Sequence, residues 1–234
     1  VRASGALVSQ AHEAMAQLWW RLQTARDVRS HRFPQAFKKL RSGGLALPWK
    51  GELGDGADRP APERATLVLR DNLLNRSRIE RAYRRAIANA TQKIIIANAY
   101  FLPGRRIRRA LIHAAGRGVK VRLLLQGRYE YFMQFHAARP VYGPLMAAGV
   151  EIHEYTASFL HAKVAVIDAD TARPWATVGS SNLDPLSLLL AREANVVVRD
   201  PAFAQDLRAR LLHAMGQGSR AVAAQEYANR PLLQ

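Results

Sequence analysis

The sequence predicts an α/β fold in which a mixed β-sheet is flanked by helices. Three observations predict it. From residue 65 onward, short runs rich in β-branched residues alternate with longer segments whose apolar residues recur at helical spacing. Ahead of that alternation stands a helical segment, set off by a stretch dense in Pro and Gly. Apolar residues make up 49% of the 234-residue chain, enough for a sizeable core.

Residues 4–25 read as a helix, because Ala6, Leu7, Ala11, Met15, Leu18 and Trp19 fall at helical spacing. The adjacent Trp19 and Trp20 read as core packing, with a membrane-interface belt as the alternative. Residues 26–64 carry Pro34, Gly43, Gly44, Pro48, Gly51, Gly54, Gly56, Pro60 and Pro62 and read as a linker. Phe33, Phe37, Leu40 and Trp49 sit there among Lys38, Lys39, Arg41 and Lys50. That mixture fits a solvated linker or a segment that touches a membrane.

The alternation then runs in order. Residues 66–69 are a strand. Residues 76–90 are a helix with Ile79, Ala82, Tyr83, Ala86 and Ile87 on one face. Residues 93–97 are a buried strand and 107–115 a helix, its start marked by Pro103 and Gly104 and loaded with arginine. Residues 119–125 are a strand. Residues 129–148 are helical, broken near Pro140 and Pro144. Strands follow at 150–155, 158–167 and 175–178, then a helix at 184–192 and a strand at 194–198. A helix over 201–215 has Pro201 at its first position. Residues 216–234 show little pattern.

Composition narrows the partners. The chain has no Cys, so no disulfide framework is expected, which suits a reducing compartment. No run approaches the ~20 apolar residues of a membrane span, and no secretory leader is expected at Val1. Lys and Arg number 35 against 18 Asp and Glu, a net charge of +17. Such an excess suits nucleic acid or the anionic leaflet of a membrane.

The chemistry gathers between residues 159 and 195. On a strand, positions i and i+2 share a face, so His161 and Lys163 are expected to project together. An imidazole serves as nucleophile or as general acid/base near neutral pH. An ammonium, a hydroxyl and an amide suit phosphoryl oxygens, and Lys163, Ser180 and Asn182 supply them. No His, Asp or Glu cluster stands at metal-ligand spacing, so no metal and no cofactor is expected. A lone His-x-Lys pair is an ordinary surface feature of an edge strand. The ordered company of Asp168, Gly179, Ser180, Asn182 and Glu193 makes it a candidate phosphodiester site.

This stretch resembles the phospholipase D superfamily, whose His-x-Lys-x4-Asp motif and trailing Gly-Ser-x-Asn are matched by His161, Lys163, Asp168, Gly179, Ser180 and Asn182. The segment between Asp168 and Gly179 is longer than usual for that family and reads as an extended hairpin loop. Further phrases resemble the B-type branch of bacterial cardiolipin synthases: Arg70 to Leu73 with Arg76, residues 95–103, 122–127 and 151–155, and the run from Gly179 to Glu193. The resemblance implies a phospholipase D-like sheet over residues 65–216, one complete half. Residues 1–25 then resemble the end of a preceding half, joined by the 26–64 linker, with 217–234 a tail. The branch carries two motifs per chain, and no other His here is followed by Lys two places on, so a fragment of a two-motif enzyme is expected.

The implied activity is a metal-independent phosphatidyl transfer through a phosphohistidine, from a phosphatidylglycerol-like donor, at the cytoplasmic face of the bacterial inner membrane. His161 would act as acid/base, or as nucleophile if two copies pair; Lys163, Ser180 and Asn182 would hold phosphate oxygens and Glu193 would orient His161. Asp168 belongs to the motif and is read as bonding backbone at the strand end rather than reacting. Asn98, Tyr100 and Arg105, with Arg106, are candidates to line the cleft or reach a head group. His153 is expected to be structural, and His136 with Tyr129, Tyr131, Phe132 and Phe135 forms either core or an acyl-chain wall. Two other readings stay open: a homodimeric phosphodiesterase or nuclease with one motif per chain, and an inactive C-terminal piece.

Overall fold

The computed structural model describes residues 5–30, 34, 38, 65–71, 75–128 and 132–223. The chain parts into two compact units between Leu67 and Val68. Of the first, helix α1 (Ala6–Arg29) is described. It runs a full turn beyond the residue-25 end expected from sequence, and Val8, Met15, Trp19 and Leu22 on it are exposed. Trp19, expected to pack in a core, is exposed among the described residues. The linker expected at 26–64 lies outside the described residues from 31 onward, except for 34 and 38.

The second unit is built on one mixed sheet. Its strands are β1 (Ala65–Arg70), β2 (Lys93–Asn98), β3 (Lys120–Gln126), β4 (Glu151–Tyr155), β5 (Lys163–Ile167), β6 (Trp175–Gly179), β7 (Glu193–Val198) and β8 (Ser219–Ala221). They lie in the order β1-β7-β6-β5-β2-β3-β4-β8. β2, β3 and β4 are parallel, and β5, β6 and β7 follow one another antiparallel from β2. The helices are α2 (Arg78–Asn89), α3 (Arg105–Gly116), α4 (Phe132–Ala147) and α5 (Pro201–Gly218). Parallel neighbours need a crossover, and α3 and α4 supply it.

The local reasons are visible in the residues. β2 is apolar on both faces because both faces are buried, from Ile94 to Asn98. α2 buries Ile79, Tyr83 and Ile87, one residue per turn, and the Tyr83 ring meets Trp175 edge-on at 5.3 Å. α3 buries Ile107, Leu111 and Ala114. α5 starts where Asp200 accepts a hydrogen bond from Phe203 N (2.9 Å), with Pro201 as first residue.

Four expectations change. Residues 158–162 are not strand; β5 begins at Lys163, because its neighbours end at Asn98 and Gly179 and offer no ladder beyond them. α4 runs unbroken through Pro140 and Pro144. Both prolines are exposed and four residues apart, so the carbonyls they leave unbonded share a solvated side. Residues 184–192 hold only a π-helical turn, Leu186–Leu190. The unpatterned tail contributes β8, which pairs antiparallel with β4 and adds an edge to the sheet. The aromatic group proposed around His136 lies outside the described side chains.

Candidate active site

One end of this sheet collects the chemistry. β2, β3, β4 and β6 finish there, and β5 and β7 begin there, as their pairing requires. Asn98 closes β2, Lys163 opens β5, Gly179 closes β6 and Glu193 opens β7. α3 starts at the same end, following β2, and presents Arg105 and Arg106 to solvent.

His161 is exposed, on the loop two residues before β5. Buried Lys163 places Nζ 3.1 Å from its Nε2 and 3.4 Å from its Nδ1. An ammonium can only donate, so the ring nitrogen that accepts from it is the one without a proton. The loop is held at its root. Arg128, just past β3, donates from Nε to Thr156 O and from Nη2 to Ala157 O, each at 2.8 Å, and its guanidinium lies 5.7 Å from the Phe159 ring centre. Ala99 N donates to Ala162 O (2.9 Å), fixing the backbone beside His161.

The segment after β6 turns across this end. Ser180 N donates to Ala194 O (3.0 Å), and its hydroxyl accepts from Ala194 N (3.1 Å) while donating to Glu193 Oε2. This corrects two expectations. Glu193 makes its hydrogen bond to Ser180 and none to His161, and the Ser180 proton is spent on that carboxylate rather than presented to a phosphate. Asn182 is buried and accepts from Tyr100 N at 3.4 Å. Asn98 is fully buried and accepts from Leu183 N at 3.1 Å, while its Nδ2 has no acceptor among the described residues. Asn98, Asn182 and Tyr100 thus stitch the Ser180–Leu183 segment to the end of β2, with Phe101 and Leu183 bridged in parallel.

Asp168 bonds backbone at the strand end, as the sequence reading has it. It lies past the far end of β5, five strand residues or roughly 16 Å from Lys163. Its carboxylate accepts from Thr91 N (2.8 Å), Thr91 Oγ1 (3.0 Å), Gln92 N (2.9 Å) and Lys93 N (2.9 Å). Its backbone is left-handed, at φ 51°. Asp168 therefore starts β2 and takes no part at the His161 end. His153, on β4, contacts Ser219 Oγ at 3.4 Å.

Two groups were missed from sequence. Asn195, inside the motif region, is buried and links Ser181 N (3.4 Å) to Thr177 Oγ1 (3.3 Å). A Cβ at Gly179 would overlap that Asn195 side chain, so the glycine is required by close approach. Arg70, at the end of β1, is buried and donates from Nη1 to Ala191 O, two residues before Glu193. The only signal for it was its place in the Arg70 to Leu73 phrase. Among the described residues no His, Cys, Asp and Glu group could hold a metal ion, and no helix is long and apolar enough to cross a membrane.

Residues 83–215 match the family described as cardiolipin synthase, PLD-like domain. The chain belongs to that family. Cardiolipin synthase B of Escherichia coli (strain K12) is 47% identical over 150 residues, 64% of this chain and 35% of that protein. A probable cardiolipin synthase of Bacillus subtilis (strain 168) is 36% identical over 127 residues, 54% of this chain and 25% of that protein. The match therefore spans about a third of the first relative's length or less. Two solved structures share the fold: the phospholipase D family member Nuc of Salmonella typhimurium, and a phosphatidylserine synthase of Haemophilus influenzae Rd KW20. Nuc has a TM-score of 0.55 at 19% identity, covering 68% of this chain and 97% of its own. The synthase has a TM-score of 0.58 at 11% identity, covering 70% and 41%. The family and the mixed-sheet architecture expected from the sequence both hold.

Proposed function

We propose that this chain is a catalytic half of a phosphatidyltransferase of the cardiolipin synthase kind. The observation that carries the reading is the exposed His161 ring against the buried Lys163 ammonium at the sheet end. Membership of the cardiolipin synthase, PLD-like domain family supports it.

The reaction needs two histidines. One attacks phosphorus, forming a P–N bond as the P–O bond to the donor's alcohol breaks; the other gives that alkoxide its proton. The second histidine then takes the proton of the acceptor alcohol, whose oxygen displaces the phosphohistidine and frees the first ring. His161 serves as the acid/base partner, or as nucleophile where two copies pair. The 234 residues contain no second His-x-Lys, so the other ring comes from a second copy or from another half of the same kind. Lys163 and Asn182 hold phosphoryl oxygens, and Lys163 gains most as charge builds in the transition state. Glu193 acts through Ser180, fixing the turn that carries Asn182. Arg105 and Arg106 face an anionic surface, and the chain associates peripherally with the cytoplasmic face of the inner membrane.

The test is incubation of the chain with phosphatidylglycerol liposomes in chelator, beside plasmid DNA. Cardiolipin and free glycerol are expected from the lipid, and His161→Ala abolishes both. Nicked DNA with unchanged lipid replaces the transferase reading by a nuclease. Sedimentation run in parallel assigns the second histidine: turnover by a dimer places it on another copy, and an inactive strict monomer places it on another half.

A further inference from the structure

Arg70 is a buried cation whose hydrogen bonds are incomplete. Its side chain is 2% exposed, and one nitrogen, Nη1, donates to Ala191 O. Nε and Nη2 are also buried, and neither has an acceptor among the described residues. A buried guanidinium with idle donors is costly and calls for a partner. The nearby carboxylates are used elsewhere. Asp71 accepts from Asn75 N (3.0 Å) and Asn75 Nδ2 (2.7 Å), and Glu193 accepts from Ser180. Arg76 adds a second positive charge nearby. Burial lowers the Arg70 pKa from its ordinary value, Asp71 raises it, Arg76 lowers it and Glu193 raises it. The guanidinium stays charged, as arginine does in proteins.

We propose that Arg70 anchors a second oxyanion subsite beside the His161 site, taking the oxygens of a phosphate ester or of free phosphate. Its place fits this: Arg70 ends β1 at the sheet end where Glu193 opens β7, and Nε with Nη2 forms the side of the guanidinium fork that meets two oxygens at once. The inference deepens the transferase reading and rests on it for the source of the ester. Joining two phosphatidylglycerol-like lipids brings two phosphates to one site. One reacts at His161 and Lys163; the acceptor's does not react and still needs a cation. Arg70 is that cation.

The experiment follows the Arg70 Nε–H resonance by NMR in the 15N-labelled 234-residue chain. The probes are inorganic phosphate, dihexanoyl-phosphatidylglycerol as a soluble lipid, and sodium chloride at matched ionic strength. A saturable shift with phosphate or with the lipid is expected, and the stronger of the two names the source as free anion or head group. Arg70→Lys, which keeps the charge and loses the fork, is expected to weaken the response about tenfold by whole-protein shifts. His161→Ala is expected to leave it unchanged. No response to either phosphate compound, or an equal one to sodium chloride, overturns the subsite. The wild-type resonance decides even if the lysine variant does not fold. A saturable Arg70 response in a chain that nicks DNA and leaves the lipid unchanged refutes the transferase reading and leaves the subsite standing.

Discussion

At one end of the sheet the Asp168 carboxylate takes hydrogen bonds from three consecutive backbone N–H groups and the Thr91 hydroxyl, and Arg117 covers the last carbonyls of α2. At the other end His161 is exposed, and Asn98 Nδ2, Gln126 Nε2 and two nitrogens of Arg70 lie buried without an acceptor among the described residues. The large apolar side chains exposed in the second unit, Phe159, Leu186, Leu189 and Leu190, also sit at this end, on the loops flanking the site. Buried polar groups are nearly always satisfied in a folded chain. One end is thus closed chemically, apart from the Tyr83 hydroxyl and Arg208 Nε, and the other keeps donors and apolar surface for something outside the described residues.

Activity and stability are expected to separate between the two ends of the sheet. His161→Ala is expected to lower phosphatidyl transfer by on the order of a thousandfold or more, with the melting temperature unchanged, because the ring is exposed. Asp168→Ala should do the reverse. It removes the acceptor for Thr91, Gln92 and Lys93 and puts alanine at a left-handed position, costing about 3 kcal/mol of stability in urea unfolding. Turnover per folded molecule should be unchanged. A stable but inactive Asp168→Ala protein would return that residue to the active site.

The same contrast explains what the sequence could disclose. The order of strands and helices was legible because β2 and α2 each bury apolar residues at one clear period. The motif residues were legible by spacing. Their partners were not. Spacing along β5 puts His161 and Lys163 on one face, yet only tertiary pairing shows that β2 and β6 stop at Lys163 and leave His161 on a loop. Glu193 and Ser180 lie thirteen residues apart in sequence and meet through the β6–β7 register, where Gly179 faces Asn195. β8 escaped notice because three residues, two of them exposed, carry no period.

A smaller effect is expected from Arg117→Ala. Nη2 of Arg117 lies 3.2 Å from Ile87 O, 3.0 Å from Ala88 O and 3.1 Å from Ala90 O, where α2 ends and Ile87 O also accepts from Ala90 N. Losing that contact should cost about 1 kcal/mol in chemical unfolding, reduced at high salt, with no change in transfer. A large loss of activity instead would mean that the far end communicates with His161 through α2 and α3.

The smallest effect belongs to the exception at the closed end. The Tyr83 hydroxyl is buried against the β6 side of α2 and has no hydrogen-bond partner among the described residues. Burial raises its pKa above the ordinary tyrosine value. Tyr83→Phe keeps the edge-on contact with Trp175 and removes an unsatisfied group, so it should stabilise the protein by about 1 kcal/mol or leave it unchanged. The sign with pH follows from the raised value. Below about pH 10 tyrosine is protonated whether the chain is folded or not, and the two proteins should differ by a constant. Above that, the unfolded tyrosine ionises while buried Tyr83 does not, so wild-type stability falls with rising pH and the Phe variant is spared this loss. Urea unfolding at about pH 8 and about pH 10.5 measures it. A gap that does not widen would mean that the hydroxyl is satisfied in solution, and the closed end would then have one exception fewer.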